Sequence, residues 1–155
     1  MQALLMVIVT WLSVNFDLPA FHDHPRVEVA SAAKMAEVRY SRLTALRPDR
    51  FAAEAGRSAP PDVGQDVYAI YDDISRTIYL HEGWTGATPA EVSVLVHEMV
   101  HHLQNAGGMK FSCPHEREKD AYKAQREWLG LFGRTLEQEF DIDPMTVLVR
   151  TNCMH

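Results

Sequence analysis

Cysteine, positive charge, long apolar runs and repeated segments are all scarce in this sequence. Two cysteines among 155 residues are too few for a disulfide scaffold, and a chain of this length buries enough surface to fold without one. The formal net charge of −6 lacks the basic footprint that binding to nucleic acid or to an anionic membrane surface requires. The composition excludes coiled-coil, collagen-like and disordered chains. These absences leave a single globular domain, spanning 1–155, as the expectation.

The two cysteines, Cys113 and Cys153, leave the redox state of the chain open. In an oxidising compartment they would close one bridge that pins the C-terminus, contributing roughly 3–4 kcal/mol to stability in the chain-entropy model. In a reducing compartment they would be two free thiols. The sequence favours neither state.

The one strongly apolar run is ALLMVIVTWLSV at residues 3–14. It is too short for a transmembrane helix, which needs about 20 residues. Only Met1 and Gln2 precede the run, so the basic segment of a signal peptide is missing. The segment 1–18 is therefore predicted to be a buried N-terminal helix, with a vestigial signal as the alternative. Because these two readings imply different compartments, a cytoplasmic and a periplasmic or secreted location both stay open.

Turn residues and apolar spacing predict an α+β fold with a short, mostly antiparallel sheet and helices packed on it. The Pro- and Gly-containing stretch at 47–66 is predicted to be a mobile loop. The expected order is an N-terminal helix, a strand at 26–30, a helix at 32–46, the loop, a hairpin of strands at 67–71 and 77–81, helices at 89–105 and 114–132, and a short helix from about 143.

The helix at 89–105 contains the residues that point to chemistry. His97 and His101 are four positions apart, so both imidazoles project from one helix face, which suits chelation of a single ion. Glu98 lies at the edge of that face, where it can reach a water on the metal rather than the metal itself. The opposite stripe of the helix is apolar and is expected to lie in the core.

The segment VLVHEMVHHL at 94–103 resembles the signature of zincin metallopeptidases. The resemblance covers the helices at 89–105 and 114–132 well and the preceding strands loosely. It implies a small zincin-like domain with one Zn²⁺ per chain, in which Glu98 takes a proton from a zinc-bound water and passes it to the leaving amine of a peptide or protein substrate. It also implies that the strand at 77–81 is a sheet edge along which an extended substrate pairs.

A third metal ligand distinguishes the branches of this family. The metzincin pattern requires a glycine three residues after His101 and a histidine six residues after it. This chain has Gln104 and Gly107 at those two positions, so the metzincin branch is excluded. In the gluzincin branch the third ligand is a glutamate on a following helix.

Two glutamates on the helix at 114–132 compete for this role. Glu118 with Ala121 resembles the E-x-x-A pattern of compact gluzincins, whereas Glu116 with Asp120 resembles the E-x-x-x-D form of larger thermolysin-like enzymes. Glu116 also has a structural explanation, because a carboxylate in the first turn of a helix is favoured by the helix dipole. Glu118 is therefore the preferred third ligand beside the two histidines, with Glu116 and then His115 as alternatives.

Tyr122 departs from the family pattern, which carries an acidic residue at this position to orient a ligand. Asp120, Asp72 and Asp73 are the alternatives for a hydrogen bond to a ligating histidine, and the sequence does not choose among them. The competing function is a catalytically silent, zinc-bound regulatory or interaction module with the same fold. The intact Glu98 speaks against that alternative. A purely structural helical protein, with no metal at all, is the third possibility.

Overall fold

A computed structural model of the protein describes residues 1–20, 23–46 and 68–153, so the loop predicted at 47–66 lies outside the described residues. These described ranges contain six helices and three strands, which confirms the α+β class. The helices are α1 (Gln2–Phe16), α2 (Ala32–Leu46), α3 (Pro89–Ala106), α4 (Pro114–Gly130), α5 (Leu136–Phe140) and α6 (Pro144–Thr151). The strands are β1 (Arg26–Ala30), β2 (Ala69–Asp72) and β3 (Thr77–His81). The chain divides into two compact units, one formed by 26–84 and the other by 1–25 with 85–155.

The unit formed by 26–84 contains a mixed sheet with strand order β1-β3-β2. The β2–β3 hairpin is antiparallel, as predicted, with Tyr71 opposite Ile78. The antiparallel prediction is wrong for β1, which runs parallel to β3 with Arg26 opposite Thr77. The connection between β1 and β3 contains α2 and β2, and only a connection of such length can bring two strands together in parallel.

Strand β3 lies in the middle of this sheet, with β1 on one side and β2 on the other. Its five residues, Thr77–His81, each face a partner residue in β1, and the hairpin occupies the opposite side. The prediction that 77–81 is a sheet edge open to an extended substrate is therefore wrong. A substrate strand needs unpaired backbone groups, and β1 already takes that side of β3.

Helix α2 packs on the sheet of the same unit through a small apolar cluster. Met35 and Val38 of α2 meet Ala30 of β1 and Ile70 of β2, with the partly buried Tyr79 of β3 against them. Met35 and Val38 are three positions apart, so both point to one side of the helix. This contact confirms the helix predicted at 32–46.

In the other unit, α1 buries one face of the predicted apolar run. Leu5, Ile8, Val9 and Leu12 are buried at helical spacing, and α1 contacts α3 and α4. Trp11 adds an edge-to-face contact with Trp128 of α4, the ring centroids lying 5.3 Å apart. The prediction of a packed N-terminal helix agrees with this arrangement. Among the described residues, no helix has both the length and the apolarity that crossing a membrane would require.

The start of α3 is fixed by a capping box between Thr88 and Glu91. The Thr88 hydroxyl accepts from the Glu91 backbone N–H, and the Glu91 carboxylate accepts from the backbone N–H groups of Thr85, Ala87 and Thr88 at 2.7–3.1 Å. The Thr85 N–H and the neighbouring hydroxyls lower the pKa of Glu91 to about 2. The negative charge also complements the helix dipole, so the first turn of α3 is held firmly.

The second half of this unit contains two short helices after α4. Helix α5 was not predicted, although Thr135 and Gln138 form a capping box that the T-x-x-Q spacing of the sequence encodes. Helix α6 begins after Asp143, as predicted. Leu136, Phe140, Ile142 and Val147 pack on Tyr122 and Leu129 of α4. Helix α4 itself ends at Gly130, two residues before the predicted end.

The C-terminus is tied to the start of α4 by a disulfide between Cys113 and Cys153, whose Cα atoms are 6.0 Å apart. This answers the question that the sequence left open. None of the eight residues of α6 is buried, and isolated helices this short are unstable in water. The cross-link therefore adds to the contacts of Val147 and Arg150 with α4 in holding α6 against that helix.

We expect Glu91→Gln to destabilise the protein by about 1 kcal/mol at neutral pH, because a neutral amide accepts these partly solvated hydrogen bonds less strongly than a carboxylate. Folding lowers the pKa of Glu91, so its contribution is present above the unfolded pKa and is lost as the pH falls through the folded value of about 2. Urea unfolding of both proteins between neutral and acidic pH measures the difference. The difference in unfolding free energy between wild type and Glu91→Gln should decrease as the pH falls. Glu82→Gln, at an exposed position in the preceding turn, is the control, and a gap independent of pH would contradict the role of the charge.

Reduction of the Cys113–Cys153 disulfide should loosen α6 and lower the thermal midpoint. The cross-link spans a sequence separation of 40 residues, and a loop of that size is worth about 4 kcal/mol in the chain-entropy model. We expect trypsin to cleave after Arg150 faster in reduced protein, because α6 frays once it is released. Trypsin should cleave the Cys113→Ser/Cys153→Ser variant at the rate of reduced wild type, and added reductant should not change that rate. Equal cleavage rates before and after reduction would show that α6 is held by packing alone.

Candidate metal site

Three side chains from two neighbouring helices converge at one point. Helix α3 contributes His97 and His101, whose ring centroids are 5.0 Å apart, and α4 contributes Glu118. The Nε2 atom of His97 lies 3.1 Å from Glu118 Oε2, and the Nε2 atom of His101 lies 3.3 Å from Glu118 Oε1. The three potential ligand atoms all lie within 4.8 Å of one another. The structure therefore brings together the three residues that the sequence analysis preferred.

The spacing of these atoms fits a small tetrahedral ion. Zinc–nitrogen and zinc–oxygen bonds of about 2.0–2.1 Å place the corners of a tetrahedron about 3.3 Å apart. The distance from His97 Nε2 to Glu118 Oε2 is 3.1 Å and that from His101 Nε2 to the other oxygen, Oε1, is 3.3 Å, so each ring nitrogen lies about one such edge from the nearer carboxylate oxygen. Two imidazoles and one carboxylate are also a donor set found in zinc sites that keep one position open. The residues present therefore suit zinc in both chemistry and size.

The electrostatics of the cluster favour a cation. Burial alone would raise the pKa of Glu118, but the neighbouring rings of His101 and His97 hold it well below its usual range. Burial pushes the pKa of His97 down, and its hydrogen bond to Glu118 together with the charge of Glu98 raises it overall. Glu118 therefore stays ionised at neutral pH, so a carboxylate charge lies between two imidazole rings.

Glu98 is also buried, with 7% of its surface exposed, and follows His97 directly in α3. Successive residues of a helix are rotated by about 100°, so Glu98 borders the face that the histidines share. Its charge acts on both His97 and Tyr122. Glu98 thus lies beside the convergent atoms without being one of them, as the sequence analysis expected.

The two alternative third ligands are engaged elsewhere. The Glu116 carboxylate accepts a hydrogen bond from the Ser112 N–H at the start of α4, which is the structural role expected of a carboxylate in a first helical turn. The Nδ1 atom of His115 lies 3.1 Å from the backbone oxygen of Arg150. Glu118 alone among these three side chains meets the two histidines.

Two glutamines, rather than aspartates, contact the outer nitrogens of the histidine rings. The Nδ1 atom of His97 lies 3.0 Å from Gln125 Oε1, and the Nδ1 atom of His101 lies 3.2 Å from Gln104 Oε1. Neither contact was predicted from the sequence. Helical spacing in the sequence could have indicated each contact. Gln125 follows Glu118 by seven residues and lies on the same face of α4, and Gln104 follows His101 by three residues.

The prediction that Asp120, Asp72 or Asp73 bonds a ligating histidine is wrong, because the glutamines occupy both outer nitrogens. Asp72 instead accepts from the backbone N–H groups of Ile74 and Ser75 in the turn between β2 and β3. Short acidic side chains in a turn commonly accept hydrogen bonds from nearby backbone N–H groups. The sequence did not reveal that hydrogen bonds within the turn would satisfy Asp72.

Tyr122 packs against the site through its ring. The ring is nearly perpendicular to that of His97, with centroids 4.8 Å apart, and its hydroxyl accepts a 2.8 Å hydrogen bond from Arg150 of α6. Burial raises the pKa of Tyr122. The residue that departs from the family pattern therefore supports the outside of a candidate ligand ring. Arg150 could not have been foreseen, since it lies 28 positions further along the chain.

Two further histidines have structural roles. His102 is buried, and its Nε2 atom lies 2.9 Å from the backbone oxygen of Asp23. His81, at the end of β3, accepts a hydrogen bond from the Gly83 N–H through Nδ1. Each of these two rings is hydrogen-bonded to a backbone group.

The comparison with known protein families covers the whole chain. Residues 1–155 match the family described as a domain of unknown function, DUF6647, and the chain belongs to that family. No curated protein and no solved structure matches the chain. The family description names no activity.

Proposed function

We propose that this protein is a zinc-dependent metallopeptidase of the compact gluzincin type. His97, His101 and Glu118 would hold one Zn²⁺, and Glu98 would act as the general base. The observation that carries the proposal is the convergence of two Nε2 atoms on the two oxygens of one carboxylate at 3.1 and 3.3 Å. The adjacent buried glutamate supplies the second requirement of a hydrolase, a base beside the metal.

In this proposal, zinc activates the water and the side chains of the protein transfer the proton. Zinc in such a site lowers the pKa of a coordinated water towards about 7 and polarises a carbonyl group. Glu98 accepts the proton that the attacking water loses and delivers it to the leaving amine, so no free base or acid is needed. Glu118 stays ionised, so the site offers a charged carboxylate oxygen to a divalent cation.

The position of Glu98 supports its separation from the ligands. A ligand must lie on the face that His97 and His101 share, whereas Glu98 is rotated from that face by about 100°. Its charge nevertheless reaches the ring of His97. A carboxylate at this place can contact a water on the metal while the metal keeps three protein ligands and one free position.

Zinc content is the first test of the metal ligands. Protein purified without added metal should contain about one zinc per chain by elemental analysis, and Glu118→Ala should lose most of it because two imidazoles alone hold zinc weakly. Glu116→Ala is the matched control, since it removes a carboxylate from the same helix two residues earlier. It should cost helix stability and keep its zinc.

Two outcomes would contradict this assignment. Equal zinc in wild type and Glu118→Ala would move the third ligand elsewhere. Wild type that takes up no zinc, even when incubated with the metal, would end the peptidase proposal and favour a purely structural protein.

Glu98→Gln tests the general base. Cleavage of a mixed peptide library, followed by mass spectrometry, should slow by about 10²–10⁴-fold, the usual contribution of a positioned base. Bound zinc should be unchanged because Glu98 is not a ligand in the proposal. Glu127→Gln, an exposed position on α4, should cleave like wild type. Full activity in Glu98→Gln would refute its role, and zinc-loaded wild type that cleaves no peptide would favour the silent zinc-binding module.

A further inference from the structure

A chain of hydrogen bonds fixes the orientation of the Gln125 side chain. The Ser93 hydroxyl donates to the backbone oxygen of Ala90 at 2.7 Å, so its own oxygen is left to accept. The Gln125 amide nitrogen donates to that oxygen at 3.3 Å, which turns Gln125 Oε1 toward Nδ1 of His97. A carbonyl oxygen only accepts, so the proton of the neutral His97 ring must be on Nδ1.

A second chain does the same for the other histidine. The Gln104 amide nitrogen donates to the backbone oxygen of Arg117 at 3.0 Å, and a backbone oxygen can only accept. Gln104 Oε1 therefore faces Nδ1 of His101, which must carry the proton. Since Arg117 immediately precedes Glu118, the same glutamine also joins α3 to α4 next to the third candidate ligand.

In the neutral rings, the protons on the outer nitrogens leave both Nε2 atoms with lone pairs toward Glu118, and the hydrogen bond from His97 Nε2 to Glu118 forms only when that ring is an imidazolium. Each lone pair then faces a carboxylate oxygen, at 3.1 Å for His97 and 3.3 Å for His101. Electron pairs on neighbouring atoms repel unless something positive lies between them. A divalent cation removes the repulsion at all three side chains at once, without requiring both buried rings to become imidazolium.

We propose that Gln125 and Gln104 are positioning residues that select the ring tautomer of His97 and His101, with Ser93 as the anchor of the first chain. The inference rests on the proposed metal function and extends it to residues that do not contact the metal. Each glutamine presents an oriented acceptor to a ring N–H, a task that a carboxylate performs equally well and an apolar side chain of the same size does not.

Substitutions at Gln125 separate positioning from packing, because the two roles predict opposite results. In the positioning role, Gln125→Met removes the acceptor and should weaken zinc binding by about 10–100-fold. Gln125→Glu keeps the acceptor and, after the Ser93 hydroxyl turns toward the new carboxylate, should bind zinc at least as tightly as wild type. In a packing role, the isosteric Met is tolerated and the buried charge of Glu is costly.

The experiment measures zinc affinity by competition with a chromophoric chelator, with Arg126→Met as the matched control at a neighbouring exposed position of α4. Ser93→Ala and Gln104→Met test the two chains without altering Gln125. Both should also weaken zinc binding, Ser93→Ala because a Gln125 amide without its anchor can turn its N–H₂ group toward His97. Arg126→Met should bind zinc like wild type.

A spectroscopic reading separates ring orientation from affinity. In zinc-loaded wild type, the Nδ1 proton of His97 should give a slowly exchanging NMR signal because Gln125 holds it. The signal should persist in Gln125→Glu and exchange with solvent in Gln125→Met. Circular dichroism of each variant confirms folding, and if Gln125→Met does not fold, the Ser93→Ala and Gln104→Met affinities decide.

The outcomes also distinguish this inference from the proposed function. Wild type that binds no zinc overturns both. Wild type that binds zinc, with Gln125→Met equally tight and its ring proton equally protected, overturns the positioning role alone. The positioning role is supported if Gln125→Glu binds zinc at least as tightly as wild type and much more tightly than Gln125→Met.

Discussion

The contact between α3 and α4 is the interaction on which the rest of the described site depends. It is a helix pair that buries polar side chains, and such groups are costly to bury unless each finds a partner. Ser93, His101, Gln104 and Gln125 are all buried there. The hydrogen bonds from Gln125 to Ser93 and from Gln104 to the backbone oxygen of Arg117 cross from one helix to the other. The same contacts that satisfy these groups bring Glu118 to the histidines. Stability of the helix pair and geometry of the candidate site are therefore set by one group of interactions.

The sequence was informative where local spacing determines geometry. His97 and His101 share a helix face because they are four residues apart, and Thr88 and Glu91 form a capping box because they are three apart. Glu118 was preferred through a family resemblance, and the structure brings it to the two histidines. In each case the relevant contact is either within one helix or between two helices that follow one another in the chain.

The sequence was uninformative where the outcome depends on which segments meet. The parallel pairing of β1 with β3 follows from a long connection, which local patterns do not reveal, and the edge position that the family resemblance implied for β3 is wrong. The use of glutamines in place of aspartates depends on the pairing of α3 with α4. Asp72 is satisfied by backbone groups of its own turn, whereas Gln125 of α4 contacts both His97 and Ser93 of α3. Gln104 of α3 contacts His101 on its own helix and the backbone oxygen of Arg117 on α4.

The hydrogen-bond chain through Ser93 ends at the carbonyl of Ala90, inside the turn that Thr88 and Glu91 cap. Fraying of that turn would release the Ser93 hydroxyl and with it the orientation of Gln125. Local unfolding at the start of α3 and dissociation of a bound ion would then be thermodynamically coupled. Because such linkage is reciprocal, an occupied site would slow amide hydrogen exchange in the first turn of α3, two turns before His97.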